Sequence, residues 1–136
     1  SADTKWFGAA VGANGKVYMA PFDIGVIGVF DPADKSFAVV DIADEISGTR
    51  KFSGTVAAPN GKIICVPLNS DSIGILDPTD NSFQLMDISA QIDIDSKWNM
   101  ATTLGSTIFL VPSNAMYVGV LTGFGSTTTT TTTTMT

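Results

Sequence analysis

The feature that most constrains the fold of this chain is an internal repeat. The segment Ala13–Pro21 (ANGKVYMAP) returns in edited form as Pro59–Pro67 (PNGKIICVP), 46 positions later. When residues 5–50 are aligned with residues 51–96, 16 of the 46 positions are identical. A fixed period of this length is typical of architectures in which one supersecondary unit stacks on copies of itself.

A third copy of the unit begins but is incomplete. It starts in register at Lys97, loses one position near Leu104, and then places Pro112 where the second copy has Pro67. After residue 122 the pattern stops and a Ser/Thr-rich tail follows. We therefore expect a blade-repeat domain over residues 1–125, with repeats at 5–50, 51–96 and 97–122, and a tail over residues 126–136.

The pattern within each unit predicts four short β-strands. Apolar, β-branched runs such as KVYMAPF and VIGVFD are separated by turn-forming residues. Asn-Gly at Asn14 and at Asn60 predicts two-residue type I′ hairpins, which need a positive φ at both central residues. Asp-Pro at Asp31 and at Asp77 predicts a second turn, in which the Asp side chain bonds the backbone ahead. Helix is poorly supported, although the link at residues 42–46 has room for one turn.

The apolar runs VYMAP, IICVP and IFLVP are nearly continuous, so we expect these strands to be buried on both faces. A four-stranded sheet of this period, covered on both sides by its neighbours, is the blade of a β-propeller. The segment APNGKIICVPLNSDSIGILDPTDNSF resembles the blade repeat of YVTN- and kelch-like β-propeller proteins, which share a Pro-(Asn/Asp)-Gly-Lys hairpin, an apolar strand and an Asp-Pro-x-x-Asn turn. The resemblance covers about residues 5–122. It implies an all-β fold of about 2.6 four-stranded blades but no particular function, since such propellers include binding scaffolds, enzymes and extracellular structural proteins.

The incomplete third unit predicts an assembly edge. Thr122-Gly123 replaces the Asp-Pro turn, so we expect no fourth strand and an unpaired strand edge. Closing a propeller takes about four to eight blades. We therefore expect copies to associate head to tail into an extracellular filament; the alternative is a carbohydrate-binding lectin formed when a few copies close one ring. The predicted assembly edge consists of Tyr117, Val118, Gly119, Val120 and Leu121.

The tail contains eight consecutive threonines. A tract of this kind is either a disordered low-complexity segment, a strand-like arm that docks on a neighbouring copy, or an O-glycosylated segment. We expect docking or glycosylation. The predicted O-glycosylation sites are Thr127, Thr128, Thr129, Thr130, Thr131, Thr132, Thr133 and Thr134.

Composition narrows the function classes. The net charge of −6 disfavours a nucleic acid or an anionic membrane as partner, and no apolar run is long enough to span a bilayer. The start SADTKW fits the end left by signal-peptide cleavage, although it also fits a trimmed chain, and we expect a secreted protein.

The sequence offers little chemistry. The chain has no His and one cysteine, Cys65, which we interpret as a small buried hydrophobe. The acid pairs of the Asp-Pro turns are interpreted as turn-forming residues. Asp93 and Asp95 remain a weak candidate metal site. Trp6, Phe52 and Trp98, at equivalent positions, are expected to pack between blades. We predict a non-enzymatic protein without a cofactor, whose partners are other copies of itself and possible glycans.

Overall fold

The computed structural model describes residues 4–123 and 130–135, the latter by their backbone alone. The described chain contains twelve β-strands and no helix. The strands are β1 (Trp6–Val11), β2 (Val17–Pro21), β3 (Val26–Asp31), β4 (Ser36–Asp41), β5 (Phe52–Ala57), β6 (Ile63–Pro67), β7 (Ser72–Asp77), β8 (Ser82–Asp87), β9 (Trp98–Leu104), β10 (Thr107–Pro112), β11 (Tyr117–Thr122) and β12 (Thr130–Met135).

These strands form three antiparallel sheets, each of which is a meander of four consecutive strands. The first two sheets, β1–β4 and β5–β8, each correspond to one 46-residue repeat. The third repeat contributes the three strands β9, β10 and β11. The predicted all-β fold of propeller-type blades, with a third repeat that is one strand short, is confirmed.

The fourth position of the third sheet is not empty, because the threonine tail fills it. β12 pairs antiparallel with β11, from Tyr117 opposite Met135 to Thr122 opposite Thr130. The expectation of an unpaired edge at residues 117–121 is therefore wrong. An unpaired edge strand presents a row of free N–H and C=O groups, and threonine has a high β-propensity, so a strand from the same chain satisfies that edge.

The Asn-Gly hairpins have longer loops than predicted. Gly15 has a φ of 81°, but Asn14 has no positive φ, which excludes a type I′ turn. The Gly15 N–H donates to the Gly12 carbonyl and the Gly12 N–H donates to the Lys16 carbonyl, both at 2.9 Å. This is a three-residue loop, in which a type I turn is followed by a left-handed glycine. Gly61, with a φ of 88°, has the same role in the second blade.

The Asp-Pro turns form as predicted. Each carboxylate accepts a hydrogen bond from the backbone N–H two residues ahead, which fixes the turn without a ligand. These bonds join Asp31 to Ala33, Asp34 to Ser36, Asp77 to Thr79 and Asp80 to Ser82. The link after β4 makes one hydrogen-bonded turn, from the Ile46 N–H to the Ile42 carbonyl at 3.1 Å, and does not continue as a helix.

The hydrophobic core lies between the blades. We call the side of each sheet that packs on the following blade its forward face, and the opposite side its backward face. At the first junction the forward face of blade 1 meets the backward face of blade 2; the buried residues are Tyr18, Ala20, Ile27 and Ile42 on one side and Phe52, Ile63, Cys65 and Leu76 on the other. At the second junction they are Ile64, Val66, Ile73 and Ile88 against Trp98, Ile108, Leu110 and Leu121.

Strand β6 serves both junctions by alternation. Ile63 and Cys65 point to blade 1, whereas Ile64 and Val66 point to blade 3. All of β6 is buried, as the apolar run IICVP predicts. The equivalent strands β2 and β10 keep partly exposed positions, so the expectation of burial on both faces is wrong for them. They belong to the blades at the two ends of the row, where a blade lies on one side alone.

Candidate functional site

The backward face of blade 1 is an uncovered copy of a buried surface. It carries apolar side chains. In blade 2, the side chains at the same repeat positions pack against blade 1. The indole N–H of Trp6 donates to the Val26 carbonyl at 3.0 Å, and its ring meets that of Phe37 edge-on at 5.6 Å. Phe37 is nevertheless 50% exposed. We call this surface the backward end face and define it by Trp6, Val17, Met19, Phe30 and Phe37.

The forward face of blade 3 is the complementary uncovered surface. Phe109, Val111 and Val118 occupy the positions that Ile64, Val66 and Ile73 have in blade 2. Those three residues of blade 2 are fully buried, whereas Val111 is 47% exposed and its two neighbours are half-buried. We call Phe109, Val111 and Val118 the forward end face.

The first junction also has a polar rim. The Lys51 N–H donates to the Phe22 carbonyl at 2.9 Å, and the Asp23 carboxylate accepts the Arg50 N–H at 2.9 Å. The Lys51 ammonium donates to the carbonyls of Gly48, at 2.8 Å, and Phe22, at 3.2 Å. Lys51 is only 3% exposed. Desolvation lowers its pKa, and the nearby Asp23 charge opposes that shift.

The second junction repeats this rim. The Lys97 N–H donates to the Leu68 carbonyl at 2.9 Å, and the Asn69 side-chain oxygen accepts the Ser96 N–H at 2.8 Å. The Lys97 ammonium lies 3.4 Å from the Asn69 carbonyl and 3.8 Å from the Asp71 carboxylate. Desolvation again lowers the lysine pKa, while Asp71 opposes the shift. Each blade is therefore joined to the next by a buried lysine and a backbone ladder.

The sequence contained a signal for this rim that the predicted sites did not use. Lys5, Lys51 and Lys97 recur with the 46-residue period. A charged residue at a repeated position is easily interpreted as a solvent-facing one. Its burial at a junction depends on the carbonyl groups of the preceding blade, which only the fold brings there.

A cleft of about 390 Å³ lies where the starts of the three blades meet. Phe7 and Phe22 line it with ring centroids 5.3 Å apart, and the Arg50 guanidinium lies 5.8 Å from the Phe22 centroid. Asn99 contributes an amide from the third blade. This cleft could not be predicted from the repeat, because equivalent positions in the three blades carry different residue types.

The other predicted site residues are dispersed. Asp93 and Asp95 are exposed, and their charges act on nearby Lys97; no group of three potential metal-ligating residues occurs in the described part of the chain. The predicted glycosylation sites Thr127–Thr129 lie outside the described residues, and Thr130–Thr134 lie in β12.

Two predictions about individual residues, and one about membrane spans, can be compared directly with the structure. Phe52 and Trp98 are fully buried between blades, which confirms their predicted packing role, whereas Trp6 lies on the uncovered backward end face and does not pack between blades. Cys65 is fully buried, as predicted, and burial raises the pKa of its thiol to about 12. Within the described part of the chain, no helix that could span a membrane is present.

Comparisons with known proteins support the fold. No protein-family model and no curated relative matches the chain. Among solved structures, the chain is similar to virginiamycin B lyase from Staphylococcus aureus, in a catalytically inactive variant with quinupristin. The TM-score is 0.76 at 15% identity, over 98% of this chain and 42% of that one.

Two further structures are similar. A streptogramin B lyase gives a TM-score of 0.71 at 18% identity, over 95% of this chain and 40% of that chain. The extracellular domain of the hybrid two-component system BT4673 from B. thetaiotaomicron gives 0.71 at 15% identity, over 94% of this chain and 16% of that chain. The chain thus spans less than half the length of each, and at these identities the similarity concerns the propeller-like fold alone.

Proposed function

We propose that this chain is a non-enzymatic structural subunit that assembles head to tail into an extracellular filament. In this assembly the forward end face of one copy packs on the backward end face of the next. The observation that supports the proposal is the repeat itself. Apart from that of Phe37, whose counterpart Phe83 is partly buried, the positions on the two end faces are the same positions that pack together, fully buried, at both junctions within the chain.

The repeat also favours a second copy as the occupant of each end face. A partner that covers Val111 must present a surface like the one that covers Val66, which is 0% exposed. The chain carries such a surface on blade 1. Exposed contiguous apolar surface marks interaction sites in soluble proteins, and a contact between two different faces of the same molecule repeats indefinitely unless the rotation closes a ring.

The second candidate function is a carbohydrate-binding lectin, in which a few copies close one ring. Two copies would contain six blades, which is within the range of about four to eight that closes a propeller. The cleft beside Phe7, Phe22 and Arg50 would then lie near the ring axis. Its size is within the range of about 300–1,000 Å³ for ligand sites, and its aromatic rings and polar groups suit a carbohydrate. This is the lectin alternative.

The tail is proposed to carry O-linked glycans at Thr127–Thr134. Eight successive hydroxyl groups make a dense set of acceptors, and the extracellular origin of the BT4673 domains supports an extracellular location. Intact mass spectrometry of native material tests this part of the proposal. A mass equal to that of the bare polypeptide would contradict it, and hexose-sized increments would support it.

Electron microscopy and sedimentation velocity of the 136-residue chain, over a range of concentrations, test the assembly. Filaments support the proposal, discrete two-copy particles support the ring, and a monomer at every concentration contradicts both.

A matched pair of variants identifies the surface through which the copies associate. Val111→Asp should abolish assembly, because it places a carboxylate on the forward end face.

Val39→Asp is the control for Val111→Asp. Val39 is 50% exposed against 47% for Val111, and both lie in strands. The residue equivalent to Val39 in blade 2, Leu85, remains 37% exposed although that blade has neighbours on both sides. Val39 is therefore at the margin of the junction surface, where the equivalent position in blade 2 is only partly covered, and Val39→Asp should weaken assembly much less than Val111→Asp does. Equal assembly by the two variants would contradict the assigned surface.

A further inference from the structure

We infer that the junction between two copies reproduces the polar rim of the internal junctions, with Thr4 and Lys5 of one copy bonded to Ser113 and Asn114 of the copy before it. This inference rests on the head-to-tail assembly proposed above. It adds the register of the contact and the atoms that fix that register.

The backbone ladder supplies the first argument. At the second junction the Leu68 carbonyl accepts the N–H of Lys97, and the Lys97 carbonyl then accepts the N–H of Ser113, both at 2.9 Å. Ser113 occupies in blade 3 the position that Leu68 has in blade 2. The next bond of this series therefore runs from an N–H at the lysine position to the Ser113 carbonyl. Lys5 is the residue at that position in blade 1.

The side-chain acceptor supplies the second argument. Asn69 accepts the backbone N–H of Ser96 across the second junction, and Asn114 is the residue of blade 3 equivalent to Asn69. The N–H equivalent to that of Ser96 in blade 1 belongs to Thr4. In the single chain the Thr4 N–H donates to the Asp23 carboxylate of its own blade at 3.1 Å. On assembly this N–H would change acceptor to Asn114, which is exposed in the single chain.

The lysine supplies the third argument. Lys51 and Lys97 are 3% and 1% exposed, whereas Lys5 is exposed and makes no side-chain hydrogen bond within the described residues. Each buried lysine donates to a carbonyl of the preceding blade. In the assembly, the Lys5 ammonium would reach the carbonyls at Ser113 and Asn114 in the same way. A charged group that is desolvated at an interface needs such acceptors, because burial without them is costly.

Charge reversal tests the lysine. Lys5→Glu would place a carboxylate against carbonyl oxygens, so we expect the association constant to fall at least about ten-fold, which is about 1.4 kcal/mol. Lys16→Glu, in the first hairpin loop, makes the same change in net charge and should leave association unchanged. Sedimentation equilibrium at one ionic strength measures both variants, and thermal unfolding of the monomer checks that each is folded. Equal association by Lys5→Glu and Lys16→Glu would overturn the role of Lys5.

Cysteine pairing tests the register. In the variant Thr4→Cys/Asn114→Cys, mild oxidation should produce a ladder of disulfide-linked multimers on a non-reducing gel, since the predicted hydrogen bond brings the two positions within disulfide range. Neither single variant should produce the ladder. Cys65 is buried, with its thiol pKa raised to about 12, and should not compete.

Asn69→Cys/Ser96→Cys is the internal control, because it places the same pair of positions across a junction within one chain. Its intrachain disulfide shows that the geometry permits the bond. If the control pair forms and the chain assembles, but no ladder appears, the register is wrong while head-to-tail assembly stands. If the unmodified chain does not associate at all, the proposed function itself fails.

Discussion

The hydroxyl of Ser53 donates a 2.9 Å hydrogen bond to the carbonyl oxygen of Trp98, across the buried junction between the second and third blades. In the β9–β10 ladder Trp98 lies opposite Pro112, which has no N–H to offer. The side chain of a neighbouring blade thus supplies the donor that the sheet lacks. A polar side chain of β5 therefore joins the second and third blades alongside the apolar clusters.

Ser53→Ala should lower the free energy of unfolding by about 1–3 kcal/mol, because it leaves the Trp98 carbonyl buried without this donor. Urea denaturation followed by circular dichroism measures the change. Ser47→Ala, at an exposed position in the link after β4, is the matched control and should stay within about 0.5 kcal/mol of the unmodified chain. Equal effects of the two variants would mean that the Ser53 bond contributes no net stability.

Gly74→Ala should destabilise the second blade through overpacking, by about 1–3 kcal/mol. A Cβ at Gly74 would lie 2.8 Å from the ring of Phe83 and 3.0 Å from the Cβ of Cys65.

Gly61→Ala should also destabilise the second blade, but for a different reason. Its φ is +88° and a Cβ there would meet nothing within 4 Å, so the cost is backbone strain of about 1–2 kcal/mol.

A double-mutant cycle separates these two causes. Phe83→Leu shortens the side chain that the new Cβ would strike, so it should recover part of the loss caused by Gly74→Ala. The same substitution should leave the cost of Gly61→Ala unchanged. Additivity in both pairs would show that crowding against Phe83 is not the reason for glycine at position 74.

Alkaline pH should reduce stability through Cys65. The pKa of the thiol is about 12 in the fold against its usual 9.0, since burial disfavours the thiolate. Between these values the unfolded chain releases a proton that the folded chain retains, so stability falls as pH rises, by up to about 1.4 kcal/mol per pH unit.

Cys65→Ala isolates that contribution. Desolvation lowers the pKa values of Lys51 and Lys97 below their usual 10.5. These two residues therefore add stability as pH rises towards 10.5. They are present in both proteins, and their effect cancels in the difference. The stability of the unmodified chain minus that of Cys65→Ala should decrease above pH 9, as measured by urea denaturation. Parallel pH profiles would contradict the prediction.

Acid should weaken the Asp-Pro turns. Hydrogen bonds from Thr79 hold the pKa of Asp77 below its usual 3.8. A carboxylate with a depressed pKa contributes stability above pH 3.8, and this stability is lost as pH falls through the lower folded value. Asp77→Asn keeps an acceptor but cannot titrate, so its melting temperature should fall less than that of the unmodified chain between about pH 6 and about pH 2.5. An equal fall in the two proteins would contradict this contribution of Asp77.

Several elements of the fold could be predicted from the sequence. The 46-residue period located the blades, because each apolar run recurs at the same place in the unit. The Asp-Pro turns were predictable since their hydrogen bonds span two residues. The hairpin type was not, because Asn14 satisfies the Lys16 N–H with its side chain instead of adopting a positive φ.

The candidate site was less predictable than the fold. The sequence pointed to the edge of β11, whereas the structure closes that edge with β12 and leaves the two end faces uncovered. The period indicated that Phe109 occupies the same repeat position as Ile64, and that Trp6 occupies the same position as Phe52. The number of repeats also indicated that two blade faces would lack a covering blade. Which side chains lie on those two faces depends on how the sheets stack, and the period alone did not show it.

The sequence by itself determined the repeating unit, its four-stranded pattern and its turns, because these depend on the alternation and turn chemistry of neighbouring residues. Only the tertiary structure decided that Lys51 and Lys97 are buried while Lys5 is exposed, although all three occupy the same repeat position. The physical reason is that a lysine is buried here by the carbonyl groups of the preceding blade. The described chain contains no blade before the first.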